Sequence, residues 1–206
     1  FCFCIKDRWL WDIGGERLSL LPTCLFTLHL QAQKFSSDIT YLFFDFHSID
    51  FTDTDLTNLL PEARIERYSP ADANSPFNKG AGYNQLLKQL KDRDPYDMVA
   101  FIDADMVFLR EDSLKKALHY CAVEQLPFCP IIHRFNEDGW GTSEAQIYAT
   151  GNVFLPGSFV HSDLKYTEGA IWGGEDGSFL QDVNNLSTSL NKEKGGVVRE
   201  RCAGLF

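Results

Sequence analysis

Three Asp-x-Asp triplets occur in this 206-residue chain: Asp53-Thr54-Asp55, Asp92-Arg93-Asp94 and Asp103-Ala104-Asp105. Carboxylates spaced this way are hard oxygen donors of the kind that hold Mg²⁺ or Mn²⁺ while leaving coordination positions open for phosphate oxygens. An aspartate-rich chain also makes such triplets by chance, so context has to separate them. The first lies in a polar stretch before Leu56, where it caps a helix or faces water. The second precedes Pro95 and reads as a helix-ending turn. Only the third interrupts an apolar run, MVAFIDADMVFL from Met98 to Leu109. Two carboxylates about 5 Å apart repel by roughly 3 kcal/mol at an effective dielectric near 20, and burying either without a partner costs more. A divalent ion held between them and a diphosphate would cancel that repulsion. The plainer reading is a turn or cap at a strand end.

The elements that must position Asp103 and Asp105 follow from hydrophobic patterning. Phe1 to Ile5, the aromatic Tyr41 to Phe46, Arg64 to Tyr68 and Met98 to Ile102 read as strands. Arg17 to Gln33 has helix-like leucine spacing, with Pro22 tolerable only near the helix start. Asn78 to Lys91 is a helix with Leu86, Leu87 and Leu90 on its apolar stripe. Leu114 to Val123 is another, behind the acidic start Glu111-Asp112-Ser113. This alternation through the first 125 residues predicts an α/β fold, a mostly parallel sheet with helices on both faces. Ligands of such sheets bind at the carboxyl ends of the strands, which is where Asp103 and Asp105 fall. Beyond that, Phe128 to Arg134 and Glu144 to Leu155 are expected strands, and Glu175 to Leu186 an expected helix. No repeat interrupts the pattern, so 1–206 reads as one domain, with a donor half (1–125) and an acceptor half (126–206).

Composition narrows the partners. A net charge of -10 and a pI near 4.9 argue against a nucleic-acid partner held on a broad basic surface. An anionic small molecule would instead need a local cation, either a metal ion or a few Lys and Arg side chains. The six cysteines show no metal-type spacing, and Cys2 and Cys4 alternate with Phe1 and Phe3 as small apolar residues of one strand face. That cysteine usage favours a reducing, cytoplasmic setting. No run of membrane-spanning length is present. Both ends read as trimmed, so a Golgi-lumen enzyme that has lost its anchor would look the same.

The segment FIDADMVF resembles the Asp-x-Asp element of glycosyltransferases with the GT-A fold, a Rossmann-like three-layer sandwich. A second segment, IWGGEDGSF from Ile171 to Phe179, is similar to the Trp-Gly-Gly-Glu-Asp element of β-1,4-galactosyltransferases and chondroitin N-acetylgalactosaminyltransferases. YLFFDFHSID resembles the strand-two ending of many GT-A enzymes, with Asp45 at the position that binds the uracil and Ser48 and Asp50 on the positions that follow. FCFCIKDRW looks like the first strand, whose Arg8 position lies near the nucleotide. FNKGAGYNQLL resembles the segment before the Asp-x-Asp strand, where Lys79 and Asn84 would border the donor. These segments come in family order along nearly the whole chain.

The resemblance implies transfer of a hexose or N-acetylhexosamine from a nucleotide sugar, UDP-linked by preference, to a hydroxyl of a glycan or glycoconjugate. Mn²⁺ or Mg²⁺ would stabilise the leaving diphosphate, held chiefly by Asp105, with Asp103 binding through water or touching the ribose. Asp103, Ala104 and Asp105 thus join Arg8, Asp45, Lys79 and Asn84 on the donor side. Asp176 would be the base that deprotonates the acceptor, Glu175 would bind acceptor hydroxyls, and Trp172 would form an apolar platform for sugar. Gly173 and Gly174 would allow close backbone approach. Retaining polypeptide N-acetylgalactosaminyltransferases typically carry Asp-x-His and then Glu-Asn. The carboxylate at Asp176 fits inversion instead. Neither His133 nor His161 is assigned to the metal. Three alternatives stand beside this reading: a nucleotidyltransferase using the same paired aspartates, a non-catalytic nucleotide-sugar or glycan-binding domain, and a haloacid-dehalogenase-type phosphatase suggested by DADMV. The last lacks the early position and the later acidic pair that its chemistry needs. The plain reading of Glu175-Asp176 is acidic residues in the first turn of a helix.

Overall fold

A computed structural model describes residues 1–13, 15–93, 96–135, 142–146, 150–169, 174–191, 193–202 and 205. In chain order the elements are β1 (Cys2–Ile5), β2 (Trp11–Ile13), β3 (Glu16–Leu18), α1 (Leu20–Ala32), β4 (Thr40–Asp45), α2 (Asp53–Leu59) and β5 (Arg64–Tyr68). They continue with α3 (Lys79–Lys91), β6 (Met98–Phe101), α4 (Asp112–Leu118), β7 (Ile132–Phe135), β8 (Thr142–Gln146), β9 (Val153–Pro156) and α5 (Gly174–Leu190). The main sheet runs β5-β4-β1-β6-β9. Its first four strands are parallel, and β9 closes the edge antiparallel to β6.

Period-two alternation decides which side chains meet which helices. Phe3, Ile5, Tyr41, Phe43, Ala100 and Ile102 point to one face and pack with α1, α2 and α4. Cys2, Leu42, Phe44, Val99 and Phe101 point to the other, against Tyr83, Leu86, Leu87 and Leu90 of α3 and Phe179 and Val183 of α5. Cys2 therefore behaves as the small core residue its alternation predicts, and Cys4 packs beside it. The expected α/β sandwich, helices on both faces of a mostly parallel sheet, is the observed one.

Local chemistry explains most boundaries. Pro22 sits in the first turn of α1, where its missing N–H would have had no helical partner. Thr52 and Asp55 form a reciprocal capping box at the start of α2, so Asp53-Thr54-Asp55 is a helix cap. Asn78 caps α3 by accepting the Ala81 N–H at 2.9 Å. Asp92 ends that helix as expected, while Asp94 lies outside the described residues.

Four expectations need correction. The helix placed from Arg17 begins at Leu20, because Glu16–Leu18 pair with Trp11–Ile13 as a short exposed hairpin. The helix at 114–123 widens into a π-helical turn over His119–Val123. The run Phe128 to Arg134 forms only isolated bridges before Ile132. The strand placed over Glu144 to Leu155 is two strands, since Gly151 and Asn152 leave strand geometry to pack against Asp103. Among the described residues no helix is long and apolar enough to cross a membrane.

Candidate functional site

The carboxyl ends of β1 and β6 and the starts of α3 and α5 surround a cleft of about 460 Å³. Four carboxylates, Asp103, Asp105, Glu175 and Asp176, line it against two cations, Arg8 and Lys79. Asp103 follows the end of β6 and is held from several sides. Its N–H donates to Asn152 Oδ1 at 3.1 Å, and its carbonyl accepts from Cys24 Sγ at 3.6 Å. The carbonyl before it, on Ile102, accepts from the buried Tyr83 hydroxyl at 3.0 Å. Gly151 forms the wall behind its carboxylate, since a Cβ there would stand 1.8 Å from Asp103 Oδ2. Burial, reinforced by the nearby Asp176 and Asp105 charges and only partly offset by Lys79, pushes the Asp103 carboxyl up to about 6. Asp105 is exposed at the cleft.

The Gly151 contact makes a direct prediction. Gly151→Ala should cost about 1–3 kcal/mol of stability, as overpacking does, measured by denaturant unfolding. In the double variant with Asp103→Ala most of that cost should vanish, because the clashing carboxylate is gone. A full cost in the double variant would place the strain elsewhere.

Opposite Asp103, the first turn of α5 presents Glu175 and Asp176, 7% and 6% exposed. Their acidity suits a helix amino terminus, but residues serving only that end would face water. Here Glu175 Oε2 and Asp176 Oδ1 are buried with no hydrogen-bond partner among the described residues. Such orphaned oxygens are rare in folded proteins and call for an explanation. Lys79, the first residue of α3, joins the two sides. Its ammonium lies 2.6 Å from Asp103 Oδ1 and 2.8 Å from Asp176 Oδ2. Burial opposes the Lys79 charge, but the two carboxylates outweigh it and hold its pKa above the ordinary lysine value.

The structure sorts the sequence-predicted residues. Arg8, Lys79, Asp103, Ala104, Asp105, Glu175 and Asp176 converge on the cleft. Gly174 opens α5 and is exposed, while Trp172 and Gly173 lie outside the described residues. Asp45, expected against the base, is fully buried with both oxygens taken. Oδ1 accepts the Ser48 N–H at 3.0 Å and the Ser48 hydroxyl at 2.6 Å, and Oδ2 accepts from Arg67. A buried carboxylate needs such partners, and none of its oxygens is left for a ligand. Ser48 also accepts the Asp7 N–H and Asp50 the Trp9 N–H, so this loop braces the segment carrying Arg8. Asn84, expected at the donor, instead donates to Tyr166 O and Glu168 Oε1 and accepts the Tyr166 N–H. Its amide pins the strip whose Thr167 and Gly169 form a cleft wall.

Gly151, Asn152, Thr167 and the exposed Phe77 are site residues that the sequence patterns missed. Gly151 stood inside a strand-like pattern, where an isolated glycine can signal close approach of another group. The others carry no local signal, since tertiary contact alone brings them to the cleft.

No family model matches the chain, and no curated protein matches it. Solved structures do match in fold. TarS 1–349 of S. aureus superposes with a TM-score of 0.61 at 14% identity, over 89% of this chain and 54% of that one. The mannosyltransferase PcManGT from Pyrobaculum calidifontis, solved with GDP-Man and Mn²⁺, gives 0.59 at 10% identity, over 98% and 55%. GalNAc-T7, solved with UDP, GalNAc and Mn²⁺, gives 0.63 at 11%, over 97% and 42%. The chain thus spans about half the length of these proteins. At such identities the likeness shows the fold, and the fold is GT-A.

Proposed function

We propose that the chain is the catalytic part of a metal-dependent glycosyltransferase. It moves a hexose or N-acetylhexosamine from a UDP-sugar to a hydroxyl of a glycan or glycoconjugate, with inversion. The observation that carries this reading is the pairing of the Asp103–Asp105 end of β6 with buried oxygens of Glu175 and Asp176 that have no partner among the described residues, across one cleft. The motif Trp172 to Asp176 and the nucleotide-sugar and Mn²⁺ ligands of the fold neighbours support it. The galactosyltransferase and N-acetylgalactosaminyltransferase branch is the one whose motif this chain shares.

The donor set suits a hard divalent ion. Asp103 and Asp105 both line the cleft, and among the described residues no third carboxylate, histidine or cysteine completes a closed cage. Mg²⁺ and Mn²⁺ in phosphate sites take this kind of incomplete protein shell and fill the rest with substrate oxygens and water. When bound, the ion would offset the charge that builds on the leaving diphosphate. Arg8 and Lys79 supply positive charge to the cleft that would receive the phosphates. Asp176 accepts the proton of the acceptor hydroxyl at Oδ1, while Glu175 binds a neighbouring hydroxyl and Trp172 gives the sugar an apolar face. Burial of Asp176 keeps water from competing for that oxygen.

A hydrolysis screen across UDP-, GDP- and dTDP-sugars with Mn²⁺ or with EDTA tests the proposal and names the donor. Turnover should appear with UDP-sugars and Mn²⁺ only, releasing UDP and free sugar. Release of UMP and sugar 1-phosphate would point to attack at the nucleotidyl phosphorus, as in a nucleotidyltransferase, and no turnover with any donor would leave a binding module.

A further inference from the structure

We propose that Lys79 is a resident counter-ion that shares Asp103 with the divalent cation, and that it passes to Asp176 when the metal takes Asp103. This rests on the metal role proposed above for Asp103 and Asp105. The two oxygens of Asp103 are not equivalent. Oδ2 is backed against Gly151, where a Cβ would stand 1.8 Å away. Oδ1 is held by the Lys79 ammonium at 2.6 Å. The oxygen turned away from Gly151, the one suited to a metal, is therefore the one that the lysine holds. An ammonium and a divalent cation on one oxygen repel each other strongly, so they compete for it.

Lys79 has somewhere to go. Its side chain is only 14% exposed, and its ammonium lies 5.8 Å from the centre of the Tyr83 ring. Helix α3 fixes its backbone, with Asn78 as cap. These constraints disfavour a swing into solvent. Its ammonium already touches Asp176 Oδ2 at 2.8 Å, and Oδ1 of the same carboxylate is buried without a partner among the described residues. A small shift away from Asp103 lets Lys79 engage Asp176 more fully. The donor-side metal and the acceptor-side carboxylate are in this way coupled through one side chain. Lys79 acts as a positioning residue for Asp176 as well as a competitor for the metal.

Mn²⁺ titration of the purified protein without nucleotide, followed by the paramagnetic resonance signal of free Mn²⁺, separates the possibilities. Lys79→Gln and Lys79→Met both keep the alkyl stem near Tyr83, and thermal melting checks that each is folded. Both should bind Mn²⁺ on the order of tenfold more tightly than the unaltered protein, because the competing charge is gone. Lys79→Arg, which keeps the charge, should bind as the unaltered protein does. A lysine with only a structural role would give the opposite result, weaker binding in the uncharged variants. Unchanged or weaker Mn²⁺ affinity in those variants, with measurable binding to the unaltered protein, overturns the exchange. If the unaltered protein binds no Mn²⁺, or Asp105→Asn leaves binding intact, the metal site itself is overturned and the exchange with it.

Discussion

Asp176→Asn should lower glycosyl transfer by about three orders of magnitude, the scale of a lost general base, while Mn²⁺-dependent UDP binding stays nearly unchanged. Asparagine keeps the size of the side chain and an oxygen for the Lys79 ammonium, which lies 2.8 Å from Oδ2. What it cannot do is take a proton from an acceptor hydroxyl at pH 7. Because Asp176 belongs to α5 and not to the Asp-x-Asp turn, its loss should fall far more on turnover than on donor affinity, which it reaches only through the Lys79 contact. Parallel measurements of steady-state transfer and of UDP affinity give both numbers. Full transfer activity in Asp176→Asn would remove it as the base, and an equal fall in UDP affinity would move it to the donor site.

Asp105→Asn should have an effect of similar size by a different route. It removes one of the two carboxylates proposed to hold the metal, so UDP affinity with Mn²⁺ should fall to that seen with EDTA, on the order of a hundredfold or more. Calorimetric titration of UDP under both conditions checks it. Undiminished Mn²⁺-dependent affinity would sink the role of Asp105. Acid should do part of the same thing to the unaltered protein through Asp103. Its carboxyl, pushed up to about 6, loses its charge as pH falls through that value, and Mn²⁺-dependent UDP binding should weaken over the same range. Stability runs the other way. The folded-state pKa lies above the ordinary aspartate value of 3.8, so between about pH 4 and 6 the folded state holds more protons at this site than the unfolded chain. Ionised Asp103 therefore costs stability above that window, and the cost fades on acidification.

How far the sequence could be read is clear from particular residues. The strands at 2–5, 40–45, 64–68 and 98–101 were legible because each is a short apolar or aromatic run with turn signals at its ends. Helix α3 was legible from its leucine stripe and Asn78 cap. The hairpin at 11–18 was not, since Glu16–Leu18 are exposed and carry no periodicity to betray pairing. Helix α2 was visible only as a cap, because seven residues offer too few turns for an apolar stripe.

The site divides along the same line. By itself the sequence determined that Asp103 and Asp105 end a buried strand, and that Glu175 and Asp176 open a helix, because both facts depend on near neighbours in the chain. Only the tertiary structure decided that these two places face each other across one cleft and that Lys79 bridges them. It also decided that Asp45 and Asn84 are consumed by internal bonds to Arg67, Ser48, Tyr166 and Glu168. The physical reason is that a polar side chain's role depends on which partners satisfy it. Those partners lie 22 residues from Asp45 for Arg67, 82 from Asn84 for Tyr166, and 97 from Lys79 for Asp176. No local pattern encodes a bond over that separation: pairing of β4 with β5 brings Arg67 to Asp45, and packing of α3 and α5 on one face of the sheet brings Lys79 to Asp176.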